Sequence, residues 1–357
     1  MWEEEREVQT EERDTKNNGT NVSSIVSLPE ALERVEAAIL SFLAALIGEE
    51  PKATLLGRDL FKAPRLFMRT LRVLQLIHAL LSEDRIASQR DLYYQLAGFF
   101  TGGAGECNAE ISFIACSLGL SRISLNIYAA SRGFIVGHLQ MLDDSGHWID
   151  LASLGRDGRT ISGDMSDLRR PIRSDHARFI LVVEKEGIYQ ELSDAKFFHQ
   201  QPCIMVTAHG VPDVATRALV SRLSNDLEIP VYALVDWNPG GVQVAFTYRF
   251  GSYSAQARNV PEKALYEISS FFWLGMHSDD ARQVADEHKV PMSAGDLIRL
   301  NSLRTAPKTR HMPAVQAQLD RMEELNVRVE LQALRHDGGV LVDYVTEKIL
   351  KRHMIQI

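Results

Sequence analysis

In the second half of the chain, short apolar runs alternate with longer stretches of helical period. The three clearest runs are Phe179–Val183, Cys203–Thr207 and Val231–Val235. Each is too short for an ordinary helix and is followed by polar residues or glycine. Continuous apolar runs of this kind are typical of strands buried on both faces of a parallel sheet. The pattern therefore predicts an α/β domain over residues 176–345, followed by the end of a C-terminal helix at 346–357.

Polar side chains follow two of these runs directly. Glu184 ends the first run, and Asp236 and Asn238 follow the third, just before a Pro-Gly-Gly turn. Functional groups in open α/β sheets lie beyond the C-terminal ends of the strands, so we expect these three side chains to meet at one edge. Each acid taken alone is more simply explained as a helix or turn cap. Together, they form a set of hard oxygen ligands that suits Mg²⁺.

The first half of the chain shows the 3.6-residue period of helices instead. One amphipathic helix is predicted over residues 27–50, where Ser27 and Glu30 form a capping box and Pro29 fits the first turn. Its apolar stripe consists of Leu32, Val35, Ile39, Phe42, Leu43 and Leu46. Such a stripe must be buried, either on its own domain or on a partner subunit.

Further helices are predicted at Leu66–Leu81, after a capping box at Ser88–Asp91, and at Glu106–Leu118. Two strand-like runs follow, Ser124–Ala129 and Phe134–Leu139, joined by a short turn that contains Arg132.

Three helices followed by a β-hairpin are typical of a winged-helix (CAP-like) DNA-binding domain. We predict this domain over residues 60–150, with Arg132 at the tip of the wing. Residues 151–175 are rich in Gly, Ser, Asp and Arg and are predicted to be a linker. The overall fold class is therefore α/β, or α+β for the whole chain.

Charge is unevenly distributed along the chain. The net charge is −8, but residues 1–50 alone hold 12 acidic and 4 basic side chains. Residues 1–26 are polar and acidic and are expected to be disordered. Residues 51–94 hold 8 basic and 4 acidic side chains, a local excess that could face phosphates. The acidic total therefore does not exclude nucleic acid as a partner.

Composition excludes several other classes of protein. The three cysteines show no CxxC spacing, which argues for a reducing compartment and against a zinc ribbon. No apolar run is long enough to span a bilayer. The motifs GxSxG and HExxH are absent. What remains is a helix bearing Tyr93 and Tyr94, together with an acidic magnesium site. This combination favours phosphoryl transfer with a tyrosine nucleophile, although an adjacent aromatic pair is more often core packing.

Several ordered motifs resemble one family. Arg90-Asp-Leu-Tyr-Tyr94 is similar to the catalytic motif of topoisomerase VI A subunits and their meiotic relatives, the Spo11 proteins. The stretches Leu181–Glu186, His209–Arg217, Leu234–Gly240 with Tyr248–Ser252, Trp273–Gly275 and Glu330–Leu334 resemble the Toprim blocks of the same family. The resemblance covers residues 66–335.

The resemblance implies a role for each site residue. Tyr94 would attack a DNA phosphodiester and become joined to the 5′ end, and Arg90 would orient the reacting phosphate. Glu184, Asp236 and Asn238 would hold Mg²⁺, although the family usually has Asp at the position of Asn238. The residues expected to contact DNA are Arg132, Arg217 and Arg249.

The resemblance also implies partners and a location. The active site would be shared between two subunits, either two copies of this chain or one copy and a paralogue. A topoisomerase VI B-like subunit would dock on the N-terminal helix. Three functions stay open: a meiotic double-strand-break transesterase in the nucleus, a topoisomerase VI A-type protein that reseals DNA with an ATPase subunit, and a catalytically weak DNA-binding subunit. The first two are type IIB topoisomerase-like enzymes.

Overall fold

The computed structural model describes residues 26–48, 52–128, 133–163, 166–251, 268–335 and 341–357. The tail predicted to be disordered lies outside these ranges except for Val26, and so does Arg132.

The N-terminal part is helical. Its elements are α1 (Leu28–Ile47), β1 (Thr54–Leu55), β2 (Arg58–Asp59), α2 (Pro64–Ser82), β3 (Ala87–Ser88), α3 (Gln89–Leu96), α4 (Ala104–Leu118) and β4 (Ile127–Tyr128). The four helices enclose one apolar cluster, in which Val73, Leu74 and Ile77 of α2 are fully buried. The predicted helices are therefore present, with ends shifted by a few residues.

The second part begins with five short strands, β5 (Phe134–Gly137), β6 (Gln140–Leu142), β7 (Trp148–Asp150), β8 (Arg159–Thr160) and β9 (Ile172–Arg173). It continues with β10 (Ile180–Val183), α5 (Glu186–Asp194), α6 (Phe197–Gln200), β11 (Ile204–Thr207), α7 (Val214–Asp226), β12 (Val231–Leu234), α8 (Pro239–Phe250) and β13 (Phe271–Gly275). The remaining elements are α9 (Ser278–Gln283), β14 (Val290–Pro291), α10 (Ala294–Thr305), α11 (Pro313–Leu325), β15 (Val327–Arg328), α12 (Leu341–Leu350) and β16 (Ile355–Gln356).

A seven-stranded sheet organises this second part, in the order β16-β13-β12-β10-β11-β5-β8. The four central strands are parallel, and the outer strands are antiparallel to their neighbours. Strands β10 and β11 are buried at every position, as the apolar runs predicted. The predicted α/β domain is thus confirmed, and its sheet places the ends of β10 and β12 side by side.

The predicted β-hairpin is wrong. Strand β4 pairs in parallel with β3, whereas β5 pairs antiparallel with β11, so the two runs belong to different sheets. The side chains of Ile135 and Val136 are almost completely buried, which requires apolar cover on both faces that a solvent-exposed wing cannot supply. Glycine at 137 allows this pairing, because its φ is +113° and a Cβ there would lie 2.4 Å from the Cys203 carbonyl oxygen.

The predicted linker is also wrong, and the predicted C-terminal helix end is confirmed only in part, because α12 ends at Leu350 and a strand follows it. Strands β8 and β9 lie within residues 151–175 and pair with β5 and β6. The chain ends in β16, which pairs with β13, and the Ile357 amide donates to the Phe271 carbonyl oxygen at 3.0 Å. These are two-residue strands held by backbone hydrogen bonds, so they leave no hydrophobic period for a sequence pattern to detect.

Helix α1 buries most of its apolar stripe on its own domain. Val35 is fully buried, and Leu32, Ile39 and Phe42 pack on the N-terminal cluster. Leu43 of the stripe is 48% exposed, and Leu40 and Ile47, outside it, are 63% and 88% exposed. The stripe therefore stabilises this domain, and any docking surface on α1 must lie on the neighbouring face.

The position of β5 can be tested with Gly137→Ala. The methyl group would meet backbone at 2.4 Å in a left-handed conformation, so we expect the free energy of unfolding to fall by about 1–3 kcal/mol or more. The control is Gly155→Ala, where no atom lies within 4 Å of the added carbon. Urea unfolding of both variants measures the difference, and equal stability would contradict the observed pairing of β5 with β11.

Candidate active site

The tyrosine helix α3 begins at a capping box, as predicted. The Ser88 hydroxyl oxygen accepts from the Asp91 amide at 3.1 Å, and the Asp91 carboxylate accepts from the Ser88 amide at 3.1 Å. The Ser88 hydroxyl also donates to the Asp91 carboxylate at 2.7 Å, and this bond, with the one from the Ser88 amide, lowers the pKa of Asp91. Leu92 and Leu96 bury one face of the helix. Because Tyr94 lies two residues from each of them, it lies on the opposite face.

Tyr94 is 60% exposed and shares its face with Arg90, one turn earlier. The Arg90 Nε–H donates to the Tyr94 hydroxyl oxygen at 3.1 Å. The neighbouring Tyr93 is half-buried and packs on the N-terminal cluster, so it is the core member of the aromatic pair. A tyrosine oxygen that faces solvent beside a guanidinium can approach a large anionic substrate. We call these two side chains the Tyr94–Arg90 pair.

The glycine-rich segment after α3 is held by Arg69, a residue to which the sequence pattern assigned no role. Arg69 donates to the Phe99 carbonyl oxygen at 2.7 Å and to Glu106 at 3.1 Å. The Glu106 carboxylate also accepts from the Gly102 amide at 2.9 Å. This network ties α2, the end of α3 and the start of α4 together, and so fixes the position of the tyrosine helix.

The C-terminal ends of β10 and β12 bring two of the predicted acids together. The Asp236 amide donates to the Glu184 carboxylate at 2.9 Å, and the Leu331 amide donates to the Asp236 carboxylate at 2.9 Å. Gly241 allows α8 to start against this edge, because a Cβ there would lie 2.3 Å from the Asp236 carbonyl oxygen. Asp236 is 3% exposed, so its carboxylate lies in the interior at the sheet edge.

A lysine completes this edge. The Lys185 ammonium lies 2.9 Å from Asp236, 2.9 Å from Glu330 and donates to Gln332 at 2.7 Å. The sequence placed Lys185 beside Glu184, but nothing in it indicated a contact with residues some 145 positions later. We call Glu184, Lys185 and Asp236 the acidic edge.

Asn238 is positioned differently from the two acids. Its side-chain oxygen accepts from the Gly241 amide at 2.8 Å and caps the N-terminus of α8. Capping satisfies one of the free amide groups at the start of the helix. The cap uses one of the two lone pairs of this oxygen, and the metal-binding role of Asn238 stays a prediction.

Burial dominates the electrostatics of the acidic edge. It raises the pKa of Glu184 to about 7, with a further contribution from the Asp236 charge. Burial also raises the pKa of Asp236, against the lowering effects of the Leu331 amide and Lys185. Burial lowers the pKa of Lys185, but Asp236 and Glu330 outweigh it and the pKa rises. With two carboxylates and one ammonium, the edge carries net negative charge only when both acids are ionised, and a bound cation favours that state.

The donor chemistry of the acidic edge fits a divalent cation. Its ligands are oxygens at the C-terminal ends of two parallel strands, which suits Mg²⁺. The Lys185 ammonium already occupies a cation position between Asp236 and Glu330. Within the described ranges, no three acidic, histidine or cysteine side chains lie close enough to hold a metal ion without rearrangement.

The arginines predicted to contact DNA are placed less favourably. Arg217 on α7 is 5% exposed, and Arg249 at the end of α8 donates to the Ile357 carbonyl oxygen at 3.2 Å. Arg132 lies outside the described residues. By contrast, Arg65 and Arg72 are exposed on α2, and Arg72 lies over the exposed Phe99 ring at 5.6 Å. These exposed arginines belong to the basic stretch at residues 51–94.

Known families match both parts of the chain. The family described as the Toprim domain of topoisomerase 6 A subunits and Spo11 matches residues 179–354, and the family described as type IIB DNA topoisomerase matches residues 65–127. A meiotic recombination protein SPO11-2 from Oryza sativa subsp. indica is 33% identical over 80% of this chain and 74% of its own length. The chain belongs to the family of Spo11 proteins and topoisomerase 6 A subunits.

Other members of this Spo11/topoisomerase 6 family are almost as similar. Meiotic recombination protein SPO11 from Mus musculus is 31% identical over 76% of this chain and 68% of its own length. The A subunit of DNA topoisomerase 6 from Arabidopsis thaliana is 32% identical over 75% of this chain and 62% of its own length. Residues 179–354 of the mixed α/β second part therefore form a Toprim domain of this family.

The two family matches cover different regions of the chain, and each contains one part of the candidate site. The Tyr94–Arg90 pair lies in the region 65–127, and the acidic edge lies in the Toprim domain. No hydrogen bond or ion pair between described residues joins the pair to the edge.

None of the described helices is long and apolar enough to cross a membrane.

The raised pKa of Glu184 predicts a pH-dependent stability in the absence of metal. A folded-state pKa of about 7, above the ordinary 4.5, makes stability fall as pH rises through this interval. We therefore expect Glu184→Gln to match the wild type near pH 4.5 and to be more stable at pH 8, on the order of 2 kcal/mol. The exposed Glu186→Gln serves as the control. Urea unfolding in EDTA measures the profiles, and parallel profiles for wild type and Glu184→Gln would refute the assignment.

Proposed function

We propose that this protein breaks double-stranded DNA by transesterification and thereby starts meiotic recombination in the nucleus. One observation carries the proposal: in a chain of the Spo11/topoisomerase 6 family, Tyr94 is exposed and its hydroxyl oxygen lies 3.1 Å from the Arg90 Nε. Relatives named as meiotic recombination proteins support the meiotic role over other uses of the same chemistry.

The number of phosphate ester bonds is the same before and after the reaction. The Tyr94 oxygen attacks the phosphorus, forms a phosphotyrosyl ester with the 5′ end and loses its proton. The bond from phosphorus to the 3′ oxygen breaks, and that oxygen takes up a proton. The Arg90 guanidinium stabilises negative charge on the tyrosine oxygen and binds the phosphate. Since one ester replaces another, the break needs no energy from nucleotide hydrolysis.

Glu184 and Asp236 would hold the Mg²⁺ that the Toprim domain implies. When bound, Mg²⁺ supplies positive charge that neutralises the reacting phosphate. Asn238 keeps α8 fixed at this edge through its cap and contributes no carboxylate.

A complete site requires two subunits in this proposal. The Tyr94–Arg90 pair and the acidic edge make no contact with each other among the described residues, so the pair of one subunit meets the edge of its partner. Two such composite sites related by a two-fold axis would cut both strands. The partner is a second copy of this chain or a paralogue.

DNA would lie across the helices α2 to α4, which we infer act as the winged-helix domain. Arg65 and Arg72 are the exposed cations best placed on α2 to contact phosphates, and such contacts position the duplex without reading its sequence. Contacts from Arg132, Arg217 and Arg249 stay predictions.

A topoisomerase that reseals DNA with an ATPase subunit is the second candidate. The 32% identity to the A subunit of an Arabidopsis thaliana topoisomerase 6 favours it. A third, catalytically weak DNA-binding role is favoured by asparagine at position 238, which leaves the edge one carboxylate short of Asp-x-Asp.

The covalent product tests the proposal. Protein purified under denaturing conditions from cells undergoing meiosis should carry attached DNA, and Tyr94→Phe should reduce it to background because the nucleophile is lost. Tyr93→Phe is the matched control and should retain attached DNA, since Tyr93 packs in the core.

Absence of attached DNA from folded wild type would move the assignment to the DNA-binding role. Attached DNA that disappears when an ATPase partner is added, with recovery of intact duplex, would favour the topoisomerase.

The exposed face of α1 is our proposed docking surface for a topoisomerase VI B-like subunit. Leu40 and Leu43 are adjacent on this face and are exposed although apolar. We expect Leu40→Asp with Leu43→Asp to abolish co-purification of the B-like subunit without unfolding the domain, because neither side chain is buried. Leu350→Asp, which changes another exposed leucine on α12, is the control. Retained co-purification in the double variant would exclude this surface.

A further inference from the structure

The backbone places Glu330 next to the acidic edge. Trp237 and Val329 exchange two backbone hydrogen bonds of 3.0 and 3.1 Å, and the Leu331 amide donates to Asp236 at 2.9 Å. Glu330 lies between these two anchored positions. The backbone therefore fixes the position of Glu330 beside Asp236.

The Glu330 side chain shares a cation position with Asp236. One carboxylate oxygen of each lies 2.9 Å from the Lys185 Nζ, and Gln332 supplies a third oxygen at 2.7 Å. An ammonium has three N–H donors, and three oxygens surround it here. A small divalent cation prefers the same kind of donors at shorter distances, and the Glu330 side chain is 52% exposed.

The neutral side chain of Asn238 makes this additional carboxylate important. A divalent cation at the edge otherwise meets two carboxylates, Glu184 and Asp236, because residue 238 is an asparagine whose amide is neutral. Affinity for hard cations depends strongly on the number of charged ligands. A third carboxylate opposite Asp236 restores that number.

We propose that Glu330 is a ligand residue of the divalent-cation site and that the cation displaces the Lys185 ammonium from between Asp236 and Glu330. The inference rests on the metal-binding role given to the acidic edge under the proposed function. It assigns the site a different third carboxylate from the one that the Asp-x-Asp pattern suggests.

Mn²⁺ binding to the full chain without DNA tests the inference, with free Mn²⁺ measured by electron paramagnetic resonance. All proteins carry Tyr94→Phe, so that no covalent chemistry contributes. Glu330→Gln should weaken binding by about tenfold or more, the size seen when the ligand environment of a metal site is altered. Glu330→Asp should lose less, because it keeps the charge. Lys185→Met should tighten binding, because it removes the competing cation.

The matched control is Glu324→Gln, which removes an exposed carboxylate that pairs with Arg321 away from the site. It should bind Mn²⁺ like the parent protein. Unchanged affinity in Glu330→Gln, or equal losses in Glu330→Gln and Glu324→Gln, would overturn the inference. A parent protein that binds no Mn²⁺ would overturn it as well.

Failure of this inference is distinguishable from failure of the proposed function. Attached DNA in wild type together with unchanged Mn²⁺ affinity in Glu330→Gln would leave Tyr94 as the nucleophile and remove Glu330 from the site. Weakened Mn²⁺ binding in Glu330→Gln without any attached DNA in wild type would keep the site and reject the transesterase.

Discussion

The hydrogen bond from the Asp236 amide to the Glu184 carboxylate is the interaction on which the Toprim site depends. It forms because β10 and β12 are parallel neighbours in register, with Val183 opposite Leu234. A shift of one residue in either strand would turn one acid to the other face of the sheet. The close approach of α8 through Gly241 holds the same edge from the other side. The geometry of the acids is thus a property of the buried sheet.

Burial gives this edge its chemistry. A carboxylate in a low-dielectric setting is costly to ionise, which is why the pKa of Glu184 rises to about 7. The Lys185 ammonium offsets part of the negative charge of Asp236 and Glu330.

The Tyr94–Arg90 pair differs from the acidic edge in its exposure to solvent. Tyr94 and Arg90 are exposed and depend on rigid support from beneath, through the buried Leu92 and Leu96 and the capping box at the start of α3. In the proposed function, a partner protomer brings the exposed Tyr94 and the acidic edge together, which requires no change in the structure of either. The family assignment of both regions is consistent with this division.

The amino-acid sequence by itself determined the local elements, the family and the residues at the strand ends. Apolar runs and the capping box at Ser88 are local signals, because they record burial and hydrogen bonds within one element. Pairing between distant segments was decided only by the tertiary structure. Burial of Ile135 and Val136 sends β5 into the large sheet, the cap commits Asn238 to α8, and Glu330 reaches Lys185 across some 145 positions. Hydrophobic periodicity shows that a segment is buried, but the partner that buries it depends on the packing of the whole chain.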